Sequence, residues 1–283
     1  MVEFDIKKHL RCPTCRGELT VHTDHLFCRQ CSVDYAILDE IIDLYPCKTP
    51  FRPVGTDLQH QYETFGESIS RPQAFQHRMR KDITLEFVEG DILLEIGAAE
   101  GWMTAELAER ARFVVSCDVA FSYLQRAQSA GINADFIRLD AHSLPFEDNL
   151  FDCVLLTEVL EHLYCPYRAL EEIHRVLKPN GFLILSTPNN MTFSGILIHL
   201  MNREPVDRDA HLSFYDPVSL KRLLGFAGFE IIKCKTGFIY FPLFKPLFHS
   251  TVMQKISHLL FKNFGNKIIV KATRSDKSLW TEL

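Results

Sequence analysis

The stretch Ile92-Leu-Leu-Glu-Ile-Gly-Ala-Ala-Glu-Gly101 decides the fold. Its first five residues read as a short buried strand, Gly97 and Gly101 turn the chain, and a helix over Trp102 to Arg110 starts at once. Strand, glycine turn and helix in that order bring backbone N–H groups and a helix N-terminus close to a nucleotide-like ligand. Phe113-Val-Val-Ser-Cys117 is a second buried strand ending in Asp118, where an acid would accept ribose hydroxyls. Ala134 to Leu139 ends in Asp140, and Phe151 to Thr157 and Gly181 to Thr187 follow as further strands. Strands alternating with helices predict an α/β, doubly wound, mostly parallel sheet. Ala99 stands where a dinucleotide loop has its second glycine, which argues against a nicotinamide cofactor.

Upstream, Phe75, Met79, Ile83 and Phe87 recur every fourth residue, a core-facing helical stripe that Gly90 ends. Pro46, Pro50 and Pro53 mark a linker before it. Further upstream, Cys12-Pro-Thr-Cys15 and Cys28-Arg-Gln-Cys31 are two C-x-x-C knuckles joined by a hairpin-length segment. Four thiolates at that spacing suit one tetrahedral zinc, a structural ion because no coordination position stays open. A redox pair needs only one such knuckle. Downstream, Asp216-Pro217 starts a helix with a stripe of Leu220, Leu223, Leu224 and Ala227, and Phe229 to Cys234 and Lys267 to Thr273 are the last two strands.

Taken in order, Glu95-Ile-Gly97-x-x-x-Gly101, Asp118, Asp140-Ala141 with Leu144-Pro-Phe146, Phe151-Asp152, Glu158-Val-Leu-Glu-His162, Leu177-Lys-Pro-Asn-Gly181 and Ser186-Thr-Pro-Asn189 resemble the signatures of class I S-adenosylmethionine-dependent methyltransferases. The resemblance covers most of residues 90 to 275. It implies a seven-stranded methyltransferase sheet and a cofactor held by Glu95, Gly97, Ala99, Gly101, Asp118, Asp140, Ala141 and Thr157. Asp118 would be the ribose-binding acid and Asp140-Ala141 would lie beside the adenine. Ala99 departs from the family's usual glycine and is expected to crowd the methionine end of the cofactor. The first 45 residues resemble the small zinc-ribbon proteins that activate methyltransferases as separate subunits, which implies a docking or substrate-presenting role for a ribbon fused in cis. The resulting organisation is a zinc ribbon over 1–46 with Cys12, Cys15, Cys28 and Cys31 as ligands, a linker and N-terminal helices over 47–89, a methyltransferase domain over 90–275 with an apolar insertion at 240–264, and a tail over 276–283.

Thr157-Glu158 occupies the place of the N-P-P-Y-type motif, which argues against the amino-methylating enzymes that use one; the family signatures and the apolar insertion make O-methylation the expected reaction. Glu158, Glu161 and His162 lie at i, i+3 and i+4 and share one face if the segment is helical. They either hydrogen-bond around the cofactor turn or bind a divalent ion such as magnesium that acidifies a substrate hydroxyl. Ubiquinone-pathway O-methyltransferases and small-RNA 2′-O-methyltransferases resemble this pattern, the latter with a further histidine for which His211 is the candidate. His162 is the first choice of proton acceptor in either case.

A chain of 283 residues, 47% hydrophobic and 24% charged, can bury a sizeable core, and a net charge of −5 does not suit a general nucleic-acid binder. No acid occurs between Glu230 and Asp276, and Tyr240 to Phe264 mixes apolar residues with lysines. That insertion reads either as a lid or as an element for a lipid-like substrate or an anionic membrane. The expected substrate is a small or lipid-linked metabolite, with RNA and a catalytically silent scaffold as alternatives. Residues 1–8 lack the apolar run of a secretory signal, so a cytoplasmic, membrane-peripheral at most, location is expected.

Overall fold

The computed structural model describes residues 4–45, 75–192, 195–196, 200, 211–237 and 263–275. The linker prolines, residues 240–262 of the insertion, the tail and most of Met191 to Met201 lie outside the described residues. The helices are α1 (Phe75–Phe87), α2 (Trp102–Ala108), α3 (Phe121–Ser129), α4 (Pro166–Val176) and α5 (Pro217–Phe226). The chain divides into two compact units, Met1–Arg71 with Glu89–Leu155 and Arg168–Gly181, and Pro72–Val88 with Leu156–Tyr167 and Phe182–Leu283.

In the first unit, β1 (Leu19–Val21), β2 (His25–Cys28) and β3 (Val33–Leu38) form an antiparallel meander with Leu19 opposite Cys28 and Leu26 opposite Tyr35. Asp39 and Glu40, at φ 50° and 65°, turn the chain into β4 (Ile41–Asp43), the two-residue left-handed geometry that matches strand twist in a hairpin. Strand β4 then pairs in parallel with β7 (Asp135–Arg138), Ile42 beside Ile137. Strands β5 (Ile92–Ile96) and β6 (Phe113–Asp118) continue the parallel register with Leu94 beside Val115 and Cys117 beside Ile137. With β8 (Phe151–Thr157), the order is β1-β2-β3-β4-β7-β6-β5-β8. Ile41 is fully buried in a cluster with Ala98, Leu124, Ala127 and Phe136, so the N-terminal segment shares its core with the glycine turn.

The start of β5 is fastened by Asp152, whose Oδ2 accepts from the N–H groups of Asp91 and Ile92 at 3.0 and 2.9 Å and whose Oδ1 accepts from Lys178 Nζ at 2.6 Å. Gly90 passes this carboxylate at φ 107°, and a Cβ there would stand 2.4 Å from Asp152 Cβ. Gly90→Ala is therefore expected to cost roughly 3 kcal/mol, strain and overpacking together. It should appear as a lower urea midpoint at unchanged slope; an unchanged midpoint would show that the clip has slack.

In the second unit, β9 (Leu177–Pro188, from Phe182 onward) pairs antiparallel with β11 (Lys267–Arg274), and β11 with β10 (Phe229–Thr236), in the order β9-β11-β10. Helix α5 opens on a capping box: Asp216 Oδ1 accepts from the N–H groups of Val218 and Ser219 at 2.8 and 3.2 Å, and Ser219 Oγ accepts from the Asp216 N–H at 3.0 Å. Helix α1 departs from its expected face. Among its described side chains Arg80, Thr84 and Phe87 are buried, whereas Met79 and Ile83 are half-buried, and Arg80 turns inward toward Glu158 at 3.9 Å.

The expected seven strands, mostly parallel, are corrected: the described residues hold eleven, in a mix of parallel and antiparallel pairs. The four additional strands are β1 to β4, expected from the sequence as a separate ribbon.

Candidate functional site

Strand β5 delivers the chain into a turn in which Gly97, Ala99 and Gly101 all adopt left-handed φ, at 84°, 47° and 80°. Alanine in that region costs about 1–2 kcal/mol relative to glycine. The turn is fixed by N–H donation from Gly97 and Ala98 to the Cys117 carbonyl at 2.8 and 2.9 Å, and from Ala99 to Asp118 Oδ2 at 2.9 Å. Gly101 permits helix α3 to approach, since a Cβ there would lie 2.7 Å from Ala127 Cβ and 2.8 Å from Ile132 Cδ1.

Three carboxylates stand in or just past the parallel strands: Asp118 and Glu95 on β6 and β5, and Asp140 two residues beyond β7. Asp118 Oδ1 accepts from the Ala120 N–H at 2.9 Å, and burial raises its pKa against these backbone donors. Asp140 Oδ1 accepts from both the N–H and Nδ1 of His142, at 2.9 and 2.6 Å, and Ala141 beside it is buried. Glu95 lies deeper, 2% exposed, with Oε2 accepting from Thr104 Oγ1 at 2.6 Å and Ser116 Oγ at 2.9 Å. Burial pushes its pKa up to about 7, the charge of Asp118 adding to the rise.

That shift carries a sign. A carboxyl whose folded pKa is raised contributes stability that is present below its unfolded pKa and is lost as pH climbs to the folded value. Wild-type stability should therefore fall relative to Glu95→Gln by roughly 3 kcal/mol between about pH 4.5 and 7, then level off. Urea titrations of both proteins at several pH values read this; parallel pH profiles would refute it.

The four knuckle cysteines converge. Their Sγ atoms lie within 4.8 Å of one another, Cys12 to Cys31 at 3.9 Å and Cys15 to Cys28 at 3.5 Å. A tetrahedron with zinc–sulfur bonds of about 2.3 Å has edges of about 3.8 Å, so this donor set fits that ion. The Gly17 and Cys31 N–H groups point at Cys15 and Cys28 Sγ, and Tyr35 Oη sits 3.3 Å from Cys12 Sγ.

In the second unit, the expected shared helical face of Glu158, Glu161 and His162 does not form. Glu158 leaves the end of β8 at φ 58°, a left-handed conformation, and only Leu160–His162 make a short 3-10 turn. Glu158 is not among the three side chains whose ligand atoms converge, though its charge is felt by Glu161. Its carboxylate accepts from Lys267 Nζ and, at 2.8 Å, from Ser186 Oγ. Glu161, His162 and His211 come together instead, with ligand atoms within 4.8 Å and the two imidazoles edge to face at 4.9 Å. The Glu161 carbonyl accepts from the N–H groups of Leu212 and Ser213, which is what brings His211 in, and Thr187 Oγ1 donates to Glu161 Oε2 at 2.9 Å. Burial and the charge of Glu158 raise the Glu161 pKa to about 8. Burial would raise Glu158 as well, but Lys267, Arg80 and Ser186 hold it below the ordinary value. Thr157, at the end of β8, is half-buried.

Sequence reading overlooked Lys267, Arg80 and Tyr35, because nothing local distinguishes a lysine at a strand start or an arginine on a helix from a solvated one. Ser186 and Thr187 stood inside a recognised signature, but their partners were not legible there.

Residues 94–185 match the family model described as a methyltransferase domain. The fold of this part of the chain agrees with that match, since it is shared with solved methyltransferase structures. Among relatives, a demethylmenaquinone methyltransferase of Paenarthrobacter aurescens is 30% identical over 130 residues, 46% of this chain and 51% of that one. A ubiquinone biosynthesis O-methyltransferase of Roseobacter denitrificans is 29% identical over 209 residues, 71% and 77% of the two chains. A SAM-dependent methyltransferase structure from Thermotoga maritima superposes with a TM-score of 0.57 at 20% identity, covering 76% of this chain and 99% of that one. The chain spans about half the length of the first curated relatives it matches. No described helix is long and apolar enough to cross a membrane.

Proposed function

We propose that the protein is an S-adenosylmethionine-dependent methyltransferase that O-methylates a small or lipid-linked metabolite of quinol type, with a structural zinc in its N-terminal ribbon. The observation that carries this reading is the turn of three left-handed residues closed by Asp118, with Asp140 at the end of the next strand. Gly97, Ala99 and Gly101 admit the cofactor, Asp118 accepts its ribose hydroxyls, and Asp140 with Ala141 borders its adenine. Bound S-adenosylmethionine supplies an electrophilic methyl group on a sulfonium. For transfer to a hydroxyl, His162 would be the group that accepts the acceptor's proton. His211 packs edge to face on that imidazole, with Glu161 beside it. The quinone-pathway names of the relatives favour the acceptor class.

One observation favours a second reading of the same residues. The convergent ligand atoms of Glu161, His162 and His211 would hold a divalent ion that acidifies the hydroxyl. Two imidazoles with one carboxylate suit manganese or zinc better than magnesium, and Glu158, engaged by Lys267, is outside the set.

Calorimetric titration with S-adenosylhomocysteine, paired with elemental analysis, tests cofactor and ribbon together. Labelled methyl transfer to catechols and hydroquinones, with structured RNA and anionic vesicles as competing partners, tests the acceptor. Saturable binding, one zinc per chain and transfer to a catechol are expected. A second equivalent of metal that is needed for transfer selects the ion reading. Methylation of RNA alone refutes the quinol class, and binding without any transfer revives a scaffold.

A further inference from the structure

Glu172 is the most heavily engaged carboxylate of the first unit, and no role for it follows from the chemistry above. It lies on α4 with 1% exposure. Oε1 meets Arg16 and, at 3.0 Å, Arg168, while Oε2 accepts from Arg175 Nη2 at 2.8 Å and from the Leu144 N–H at 3.1 Å. Arg175 also donates to the carbonyls of Leu144 and Phe146, at 2.9 and 2.6 Å. One buried acid and one arginine thus grip the backbone of 144–146 from the side of α4.

The N-terminal segment grips the same stretch from the other side. Ser143 Oγ donates to the Pro13 carbonyl at 2.6 Å, the Arg11 N–H donates to the Pro145 carbonyl at 2.9 Å, and the Glu147 N–H donates to the His9 carbonyl at 3.1 Å. Arg16 belongs to this side and crosses to the other. It follows Cys15 directly, at φ 60°, with its N–H donated to the Cys12 carbonyl at 2.8 Å. The knuckle that would hold the metal therefore fixes the backbone from which Arg16 reaches Glu172. Three residues before Ser143 stands Asp140, tied to His142 and assigned above to the adenine side.

We propose that Arg16 and Glu172 are positioning residues for cofactor recognition: Arg16, anchored by the knuckle, joins Arg168 on Glu172 Oε1 and so orients the carboxylate whose other oxygen holds the Leu144 backbone, and this clamp sets the place of Asp140 to His142 against the adenine. The inference rests on the cofactor reading given above and assigns to the ribbon an effect on base selectivity. A purely structural arginine would alter thermal stability without altering selectivity between bases.

The test uses the full chain and two probes, S-adenosylhomocysteine and S-inosylhomocysteine, which differ only in the base. Arg16→Ala is expected to keep its metal content, weaken S-adenosylhomocysteine binding by about five- to tenfold and narrow the preference for adenine over hypoxanthine; Arg16→Lys should recover part of both. Ser143→Ala, which removes a neutral contact to the same segment, should shift selectivity in the same direction by a smaller factor, and it serves if Arg16→Ala fails to fold. Unchanged affinity and selectivity in folded, zinc-loaded Arg16→Ala, or in Ser143→Ala where that variant must serve, would overturn the proposal while leaving the cofactor reading intact. Wild-type protein that binds neither probe would overturn both.

Discussion

Asp118→Ala is expected to weaken S-adenosylhomocysteine binding by about two orders of magnitude. Hydrogen bonds to a charged group contribute roughly 1.5–3 kcal/mol each, and an acid that accepts two ribose hydroxyls loses about 3 kcal/mol when removed. The turn suffers too, because Asp118 holds the Ala99 and Ala120 N–H groups from its two oxygens. The bond from Ala99 offsets the strain of its left-handed backbone. Asp118→Asn separates the two effects, since one amide oxygen can still accept from the turn while the second ribose contact is lost. Calorimetry should rank wild type, Asn and Ala in that order. Equal affinity in all three would mean that the ribose lies elsewhere.

Cys12→Ser should release the zinc and lower the melting temperature by roughly 10 °C. Structural zinc in small ribbons contributes on the order of 10 kcal/mol to folding, and a chain of this size loses about 2–4 °C per kcal/mol. Only part of the zinc contribution should be felt, because β4 and Ile41 are held by the sheet and by the cluster around Ala98 even without metal. Cys234→Ser, at an exposed thiol, is the control and should change neither metal content nor melting. An unaltered zinc content in Cys12→Ser would remove the four-thiolate assignment.

What was legible in the sequence follows physical lines. Strands buried on both faces read as unbroken apolar runs, so β5, β6 and β8 stand out at Ile92, Phe113 and Phe151. The cysteine knuckles were legible because metal-ligand spacing is local. Pairing between distant strands is not, and nothing in Ile41-Ile-Asp43 announces a parallel partner at Ile137. The apolar stripe of α1 was misjudged in phase because a buried Arg80 outweighs a half-buried Met79 once Glu158 is near. The helical spacing of Glu158, Glu161 and His162 misled for a similar reason, since a left-handed residue at the strand end resets the direction of everything after it. Glu171 and Glu172 look alike in sequence; Glu172 is the buried member because it shares a helix face with Ala169, Ile173 and Val176, and two nearby arginines and the distant Arg16 pair with it.

The parallel pairing of β4 with β7 also bears on solubility. A sheet that stopped at Asp135–Arg138 would present an open row of N–H and C=O groups beside Phe136 and Ile137, a template for another chain's strand. The meander moves that boundary to β1, three residues long and carrying Thr20, too brief to recruit an intruding strand. A chain shortened by its first 45 residues should therefore self-associate even at temperatures where its remaining core is intact.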